Sequence, residues 1–364
     1  MKRDTSSRGI LPKQSDTYWL SAFPGRDFIA LLLFLTLPAS LCGCTDPEDL
    51  WNLPDSPEST RSGGKVEKTR VEMETDASVR SLDVFIFESD RMSRLDSYQR
   101  FDNGSDQYDT FDLSSRSGQK TAVLLANSGY NRYEWVDINC RSALDKRVVE
   151  LESESFSYPT MSCEHTFHAG KGFRAEMIPL SAEIILRSIR TDFSKESYAG
   201  EHLADVKVYL TNVNASCRIL SSGETAPERI INCGRLSEDD LSRFNCPDFI
   251  YRELEGTLGD ERVFPDIRLR SYPNCLKENK IGAPYTKLVI EGKINGETYY
   301  YPIAINRSPG IVDYGIRRNC RYIYDLTITG TGLTDPDGTI DGKQLKMVME
   351  VEGWKEKEWY NILY

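Results

Sequence analysis

The sequence predicts an all-β protein of the β-sandwich class, and three observations carry that prediction. Aromatic and β-branched residues are plentiful, with 19 Tyr and 14 Phe, and such side chains suit a pleated, half-buried surface. Apolar residues alternate with a period of two in one segment after another, with almost no helical spacing. Gly, Asn, Asp and Pro lie between these segments and turn the chain. Short alternating runs separated by turn residues are the pattern of packed sheets.

The pattern starts at Lys65. Val79 to Glu88 alternates and then becomes almost continuously apolar over Val84-Phe85-Ile86-Phe87, which predicts a strand buried on both faces. Ser89 to Met92 would turn the chain. A second core strand is expected in Gly118–Gly129, around Ala122-Val123-Leu124-Leu125. Tyr130 to Lys146 carries no strong signal and reads as helix or irregular structure. A long strand is expected from Ile178 to Ile189, with Leu180, Ala182, Ile184 and Leu186 on one face. Another follows from Leu203 to Asn214. The region from Cys217 to Tyr272 is weakly periodic and reads as loops, with one short helix near Ser237 to Phe244. The clearest local signal is Thr286 to Ile303, two strands joined by Asn295-Gly296, a pair suited to a type I′ hairpin. Cys320 to Gly330 is a strand, Thr331 to Gly342 a loop, and Lys343 to Trp354 a last strand. No internal repeat of fixed period is present.

Ahead of this body lies Phe28–Cys44, FIALLLFLTLPASLCGC. Its fourteen residues Phe28 to Leu41 are broken only by Thr36, Pro38 and Ser40. As a helix that run measures about 21 Å, short of a bilayer core of about 30 Å, and its length fits the apolar region of a signal peptide. The 27-residue leader before it is basic, though long for such a region. Leu41-Cys42-Gly43-Cys44 resembles a lipobox, where a thiolate takes a diacylglyceryl group and cleavage leaves that cysteine first. On this reading residues 1–43 are a lipoprotein signal peptide, Cys44 is lipidated, and residues 44–64, rich in Pro, Ser and Gly, are a flexible tether. The acidic residues just after Cys44 resemble a signal that sends some Bacteroidales-type lipoproteins to the outer leaflet of the outer membrane. No second apolar stretch approaches membrane-spanning length.

With 45 Lys plus Arg against 56 Asp plus Glu, the formal net charge is −11, which argues against a nucleic-acid partner. Removing Cys42 and Cys44 from the nine cysteines leaves seven, an odd number that cannot all pair internally. Export permits disulfides, but some or all of the seven could equally pack as free thiols.

The sequence contains no nucleophile elbow, HExxH, phosphate loop or dinucleotide turn. Cys163-Glu164-His165-Thr166-Phe167-His168 contains zinc-type ligands without a second pair at a usual distance, and is expected in a surface loop with no metal bound. No cofactor is expected, and no isolated carboxylate pair nominates a general acid and base. Asp335-Pro336-Asp337-Gly338 lacks the further ligands of a calcium loop and reads as a turn. Tyr299, Tyr300 and Tyr301, with Trp354, Trp359, Tyr360 and Tyr364, could form a sugar-stacking platform. The competing reading places such aromatics in the core and in cross-strand pairs.

Several segments together resemble the fimbrillins of Bacteroidales-type pili (the Mfa-like superfamily), especially its lipoprotein minor or anchor subunits. The pieces are the lipobox, Leu82–Phe87, Ala122–Ser128, Leu203–Val213, Leu288–Ile303, Arg317–Tyr322, Thr327–Asp337 and Val351–Trp354, in order across most of the chain. The resemblance implies two tandem β-sandwiches of transthyretin-like topology, taken here as residues 65–176 and 177–364. It implies a non-enzymatic fimbrial subunit, held at the outer membrane by lipid and contributing to cell adhesion. Its partners would be other fimbrial subunits, through donated strands, and a host or bacterial surface receptor. Shaft subunits of the family lose a first strand by cleavage after an arginine. Arg61 or Arg70 could mark that position here, Arg70 because the strand-like Val71-Glu72-Met73-Glu74 follows it. An anchor subunit would keep its lipid and its first strand. From a different class, the alternative is a surface lipoprotein that binds glycans through exposed aromatics.

Overall fold

The computed structural model describes residues 65–102, 108–194, 198–220, 227–279, 281–307, 314–353 and 362–363. The signal peptide, Cys44, the tether and Arg61 lie outside these residues, as do Trp354, Trp359, Tyr360 and Tyr364. Residues 59–364 belong to one compact unit.

Nine strands form between residues 66 and 179. They are β1 (Val66–Glu74), β2 (Leu82–Glu88), β3 (Leu95–Phe101), β4 (Thr110–Arg116), β5 (Gln119–Ala126), β6 (Val148–Glu150), β7 (Met161–His168), β8 (Phe173–Glu176) and β9 (Ile178–Pro179). One sheet has the order β4-β1-β8, and a five-stranded sheet the order β3-β2-β5-β7-β9. They face each other across one apolar cluster. It joins Val71 and Met73 to Leu82, Val84, Ile86, Leu113, Leu124 and Ala175. The alternate residues of the same strands, Phe85, Phe87, Val123 and Leu125, point to the opposite face and are equally covered. There Trp135 meets Phe85 edge-on with ring centroids 5.2 Å apart. The continuous apolar run in β2 therefore arises because both faces of this sheet are buried.

What covers that second face is the segment between β5 and β7. It contains a 3-10 turn at Arg132–Trp135, the one-turn helix α1 (Arg141–Leu144) and β6. Asn131 closes a capping box with Glu134 at the start of the 3-10 turn.

The later strands are β10 (Ala182–Thr191), β11 (Ala204–Thr211), β12 (Val213–Asn214), β13 (Ser216–Arg218), β14 (Ile230–Ile231) and β15 (Tyr251–Glu253). They continue with β16 (Ile267–Ser271), β17 (Lys287–Ile294), β18 (Glu297–Ala304), β19 (Cys320–Ile328), β20 (Leu345–Gly353) and β21 (Ile362–Leu363). A five-stranded sheet has the order β16-β10-β19-β20-β21, and a four-stranded sheet the order β15-β11-β17-β18. Ile184, Leu186, Tyr322, Tyr324 and Leu326 of the first pack in one cluster with Val208, Leu210, Leu288, Ile290 and Ile303 of the second. The chain is all-β with sheets stacked face to face, as the alternation predicts. Asn295 and Gly296 both take positive φ, 54° and 85°, and pair Ile294 with Glu297, giving the expected I′ hairpin.

Two expectations need correction. The Cys217–Tyr272 region contains the expected helix, α2 (Glu238–Leu241) capped by Ser237, but also β13 to β16, of which β16 pairs with β10. Cys163–His168 is no surface loop but most of β7, paired along its length with β5.

The two groups of sheets are joined by main chain. β6 pairs antiparallel with β13, and the Leu151 N–H donates to Ala215 O at 2.8 Å.

Candidate functional site

The earliest described strand, β1, has the features of a site. Along β1 the side chains alternate strictly: Thr69, Val71 and Met73 point inward and are buried, while Lys68, Arg70, Glu72 and Glu74 are exposed. This is the binary pattern of a strand with one wet face. β1 runs antiparallel to β4 from Val66–Arg116 to Glu72–Thr110, and parallel to β8 from Val71–Phe173 to Glu74–Glu176. It is thus the central strand of its sheet, and β4 and β8 are bonded to it on opposite sides. Taking it away would leave an unpaired edge on each, a trough about 10 Å wide between them, and an apolar floor of Leu82, Val84 and Leu124.

Residues 75–81 link β1 to β2. Asn127, at φ 56°, pins this link through one side chain: its Oδ1 accepts from the Arg80 N–H at 2.8 Å, and its Nδ2 donates to Ser78 O at 2.9 Å. Arg80 itself is exposed, its guanidinium 4.4 Å from the centre of the Tyr158 ring. Arg70 sits in the middle of β1 opposite Asp112, with an exposed contact of 3.8 Å between their charges.

The zinc-type residues do not converge. Strand geometry sends Cys163, His165 and Phe167 to one side of β7 and Glu164 and His168 to the other. His165 stacks on Phe173 at 4.6 Å, while Glu164 is bridged by Arg141 at 2.6 Å. Among the described residues no group of three potential ligands comes together. All seven cysteines that follow Cys44 are free thiols. Burial pushes the Cys163 thiol up to about 11. Asp335–Gly338 forms a turn, in which the Asp335 carboxylate accepts from the Asp337 N–H at 2.9 Å. The three tyrosines do not make a common platform. Tyr301 is buried and donates to Gly330 O, Tyr299 packs against the core, and only Tyr300 looks outward beside Glu291.

A buried charge network was not visible as a pattern. Arg270 lies 3.0 Å from the Glu183 carboxylate and 3.8 Å from Glu154, and its guanidinium donates to Ser155 O. Arg321 reaches the other oxygen of Glu183 at 3.2 Å. Arg318 spans the same seam, donating to Ile178 O at 2.7 Å and Ser162 Oγ at 2.9 Å. Charges inside β10 and β16 were the available signal, because a charged residue on a strand face that is buried needs a partner.

No family model matches the chain, and no curated protein does. Solved structures do. A provisionally named cell adhesion protein from Parabacteroides distasonis superposes with a TM-score of 0.60 at 16% identity, covering 80% of this chain and 98% of that one. One from Bacteroides eggerthii gives 0.59 at 14% identity, covering 80% and 97%. A fimbrilin from Porphyromonas gingivalis gives 0.57 at 13% identity, covering 79% and 97%. The chain therefore has the fold of Bacteroidales fimbrial and adhesion proteins. At these identities the shared property is the fold.

Proposed function

We propose that this chain is a non-enzymatic structural subunit of a fimbria, a minor, anchoring or accessory one. It is held at the outer membrane by lipid on Cys44 and contributes to adhesion through its fimbrial partners and a surface receptor. In this reading residues 65–176 and 177–364 are two tandem sandwiches. The observation that carries the reading is the place of β1, the earliest of the described strands and the centre of its sheet. Strand exchange needs a strand that leaves as a unit and a groove that offers both hydrogen bonds and apolar depth.

The position of cleavage decides the role. A cut after Arg61 would leave β1 intact, and one after Arg70 would divide it. A cut after the exposed Arg80, in the link, would free all of it. A subunit that keeps its lipid also keeps β1, has no open groove, and so ends a polymer instead of extending it. The fold likeness to the Porphyromonas fimbrilin and to the two adhesion proteins supports the same class.

Mass spectrometry of the mature N-terminus on cells, with palmitate labelling, tests this. The expected result is a lipidated Cys44 with β1 retained, and loss of label in Cys44→Ala. Label persisting in Cys44→Ala would refute the lipid site, and a mature end beyond β1 in sheared pili would make this a shaft subunit.

A further inference from the structure

On the outer face of the β15-β11-β17-β18 sheet two hollows of about 540 and 490 Å3 adjoin, and Glu291 lines both. Each falls within the roughly 300–1,000 Å3 of small-molecule sites. Strand register builds the shared floor: Glu291 of β17 lies opposite Lys207 of β11 on one side and Tyr300 of β18 on the other. Tyr209, two residues on from Lys207, donates its hydroxyl to Glu291 at 3.1 Å, and Lys207 holds the other carboxylate oxygen at 3.3 Å.

The walls are fixed in place. On one side the Tyr300 main chain exchanges two 2.8 Å hydrogen bonds with Leu333, anchoring the loop that carries Asp335. A side chain on Gly332 would meet Tyr300 O at 2.7 Å, so only glycine allows this approach. Lys287 then ties the far end of the loop through Asp337 Oδ1 at 2.7 Å. On the other side the Gly234 N–H donates to Asn212 Oδ1 at 2.8 Å and presents Arg235 to the hollow.

The charges are largely spent on one another. Lys207 pairs with Glu291, Lys293 with Asp205 at 2.9 Å, and Lys287 with Asp337. Paired charges leave many directed donors and acceptors, and Glu253 and Asp335 leave the lining net acidic, which does not suit phosphate. An outward phenol beside them supplies a flat apolar face. That combination, a ring to stack on and fixed polar groups at its edges, matches a polyhydroxylated ring.

We propose that this groove binds a short neutral oligosaccharide, with Tyr300 stacking on a sugar ring and Glu291, Lys207 and Arg235 bonding its hydroxyls. The purified mature chain is applied to an array of neutral mannan, glucan and galactan oligomers, with polylysine and inorganic phosphate as charged probes. The best oligomer is then titrated calorimetrically. Tyr300→Ala is expected to weaken binding by about tenfold or more, Tyr300→Phe to retain it, and Tyr133→Ala, exposed elsewhere, to leave it unchanged. Should Tyr300→Ala fail to fold, Arg235→Ala on the wall replaces it, with several-fold weakening expected. Absence of any bound oligomer, binding untouched by the folded groove variant, or capture of polylysine or phosphate in place of sugars would each overturn the assignment.

Discussion

Glu154 shows how one buried side chain sets a pH dependence. It accepts from the Tyr272 hydroxyl at 2.7 Å and from Ser181 at 3.3 Å, and it lies beside Arg270. Burial pushes its carboxyl up, against the lowering pull of Arg270 and these hydroxyls. A carboxyl raised on folding contributes most below its unfolded pKa of about 4.3, and that contribution is lost as pH rises through the folded value. Glu154→Gln has no such proton to lose. The wild type should therefore lose stability relative to the glutamine variant as pH climbs from about 4 towards 7, read from urea midpoints across that range. A relative gain with pH would instead mark an ionised Glu154 held by Arg270. None of this is written locally in the sequence, where Glu154 is one of several carboxylates in a polar run.

At the scale of elements, legibility followed how sharply burial alternates. β2, β5, β11 and the β17–β18 hairpin were readable because their inward positions are apolar and their turns carry Asn or Gly. β3 was missed: LDSYQRF is half-buried at every position, so no face stands out. β16, IRLRS, was missed because it is short and its second face carries Arg270, whose burial depends on partners remote in sequence. β7 was misread because Cys, Glu and His suggested chemistry, whereas its inward side chains only cover the core beside Phe173. The candidate strand exchange site was half legible, since Val71-Glu72-Met73-Glu74 showed a strand but not its central place in the sheet. The hairpin offers a direct test. Gly296 has φ 85° and open space where a Cβ would lie, so Gly296→Ala costs backbone strain without a clash. The expected loss is about 1 kcal/mol, measured by urea unfolding; no loss would mean that the turn relaxes to another type.

For the whole molecule, the seam between the two groups of sheets is the decisive feature. It combines the β6–β13 ladder with Arg270, Glu183, Glu154 and Arg318. Ion pairs of this kind need not add much net stability, but removing one member strands the others. Arg270→Met should thus cost about 3 kcal/mol, because Glu183 stays buried with only Arg321 at its second oxygen. Calorimetry should show one transition for the wild type and a lowered or split one for the variant; an unchanged melt would mean the seam carries no cooperativity.

The direction of β1 has a mechanical consequence. A pull on residues ahead of Val66, directed along the strand, loads the seven residue pairs with β4 and the four with β8 together, in shear. Peeling a strand from an edge breaks its hydrogen bonds one after another, whereas shear requires the whole set to yield at once. Under the proposed lipid tether, a body held through β1 in this way would resist sudden traction far better than one held through an outer strand, which is what a cell needs of whatever keeps its filaments from tearing loose in flow.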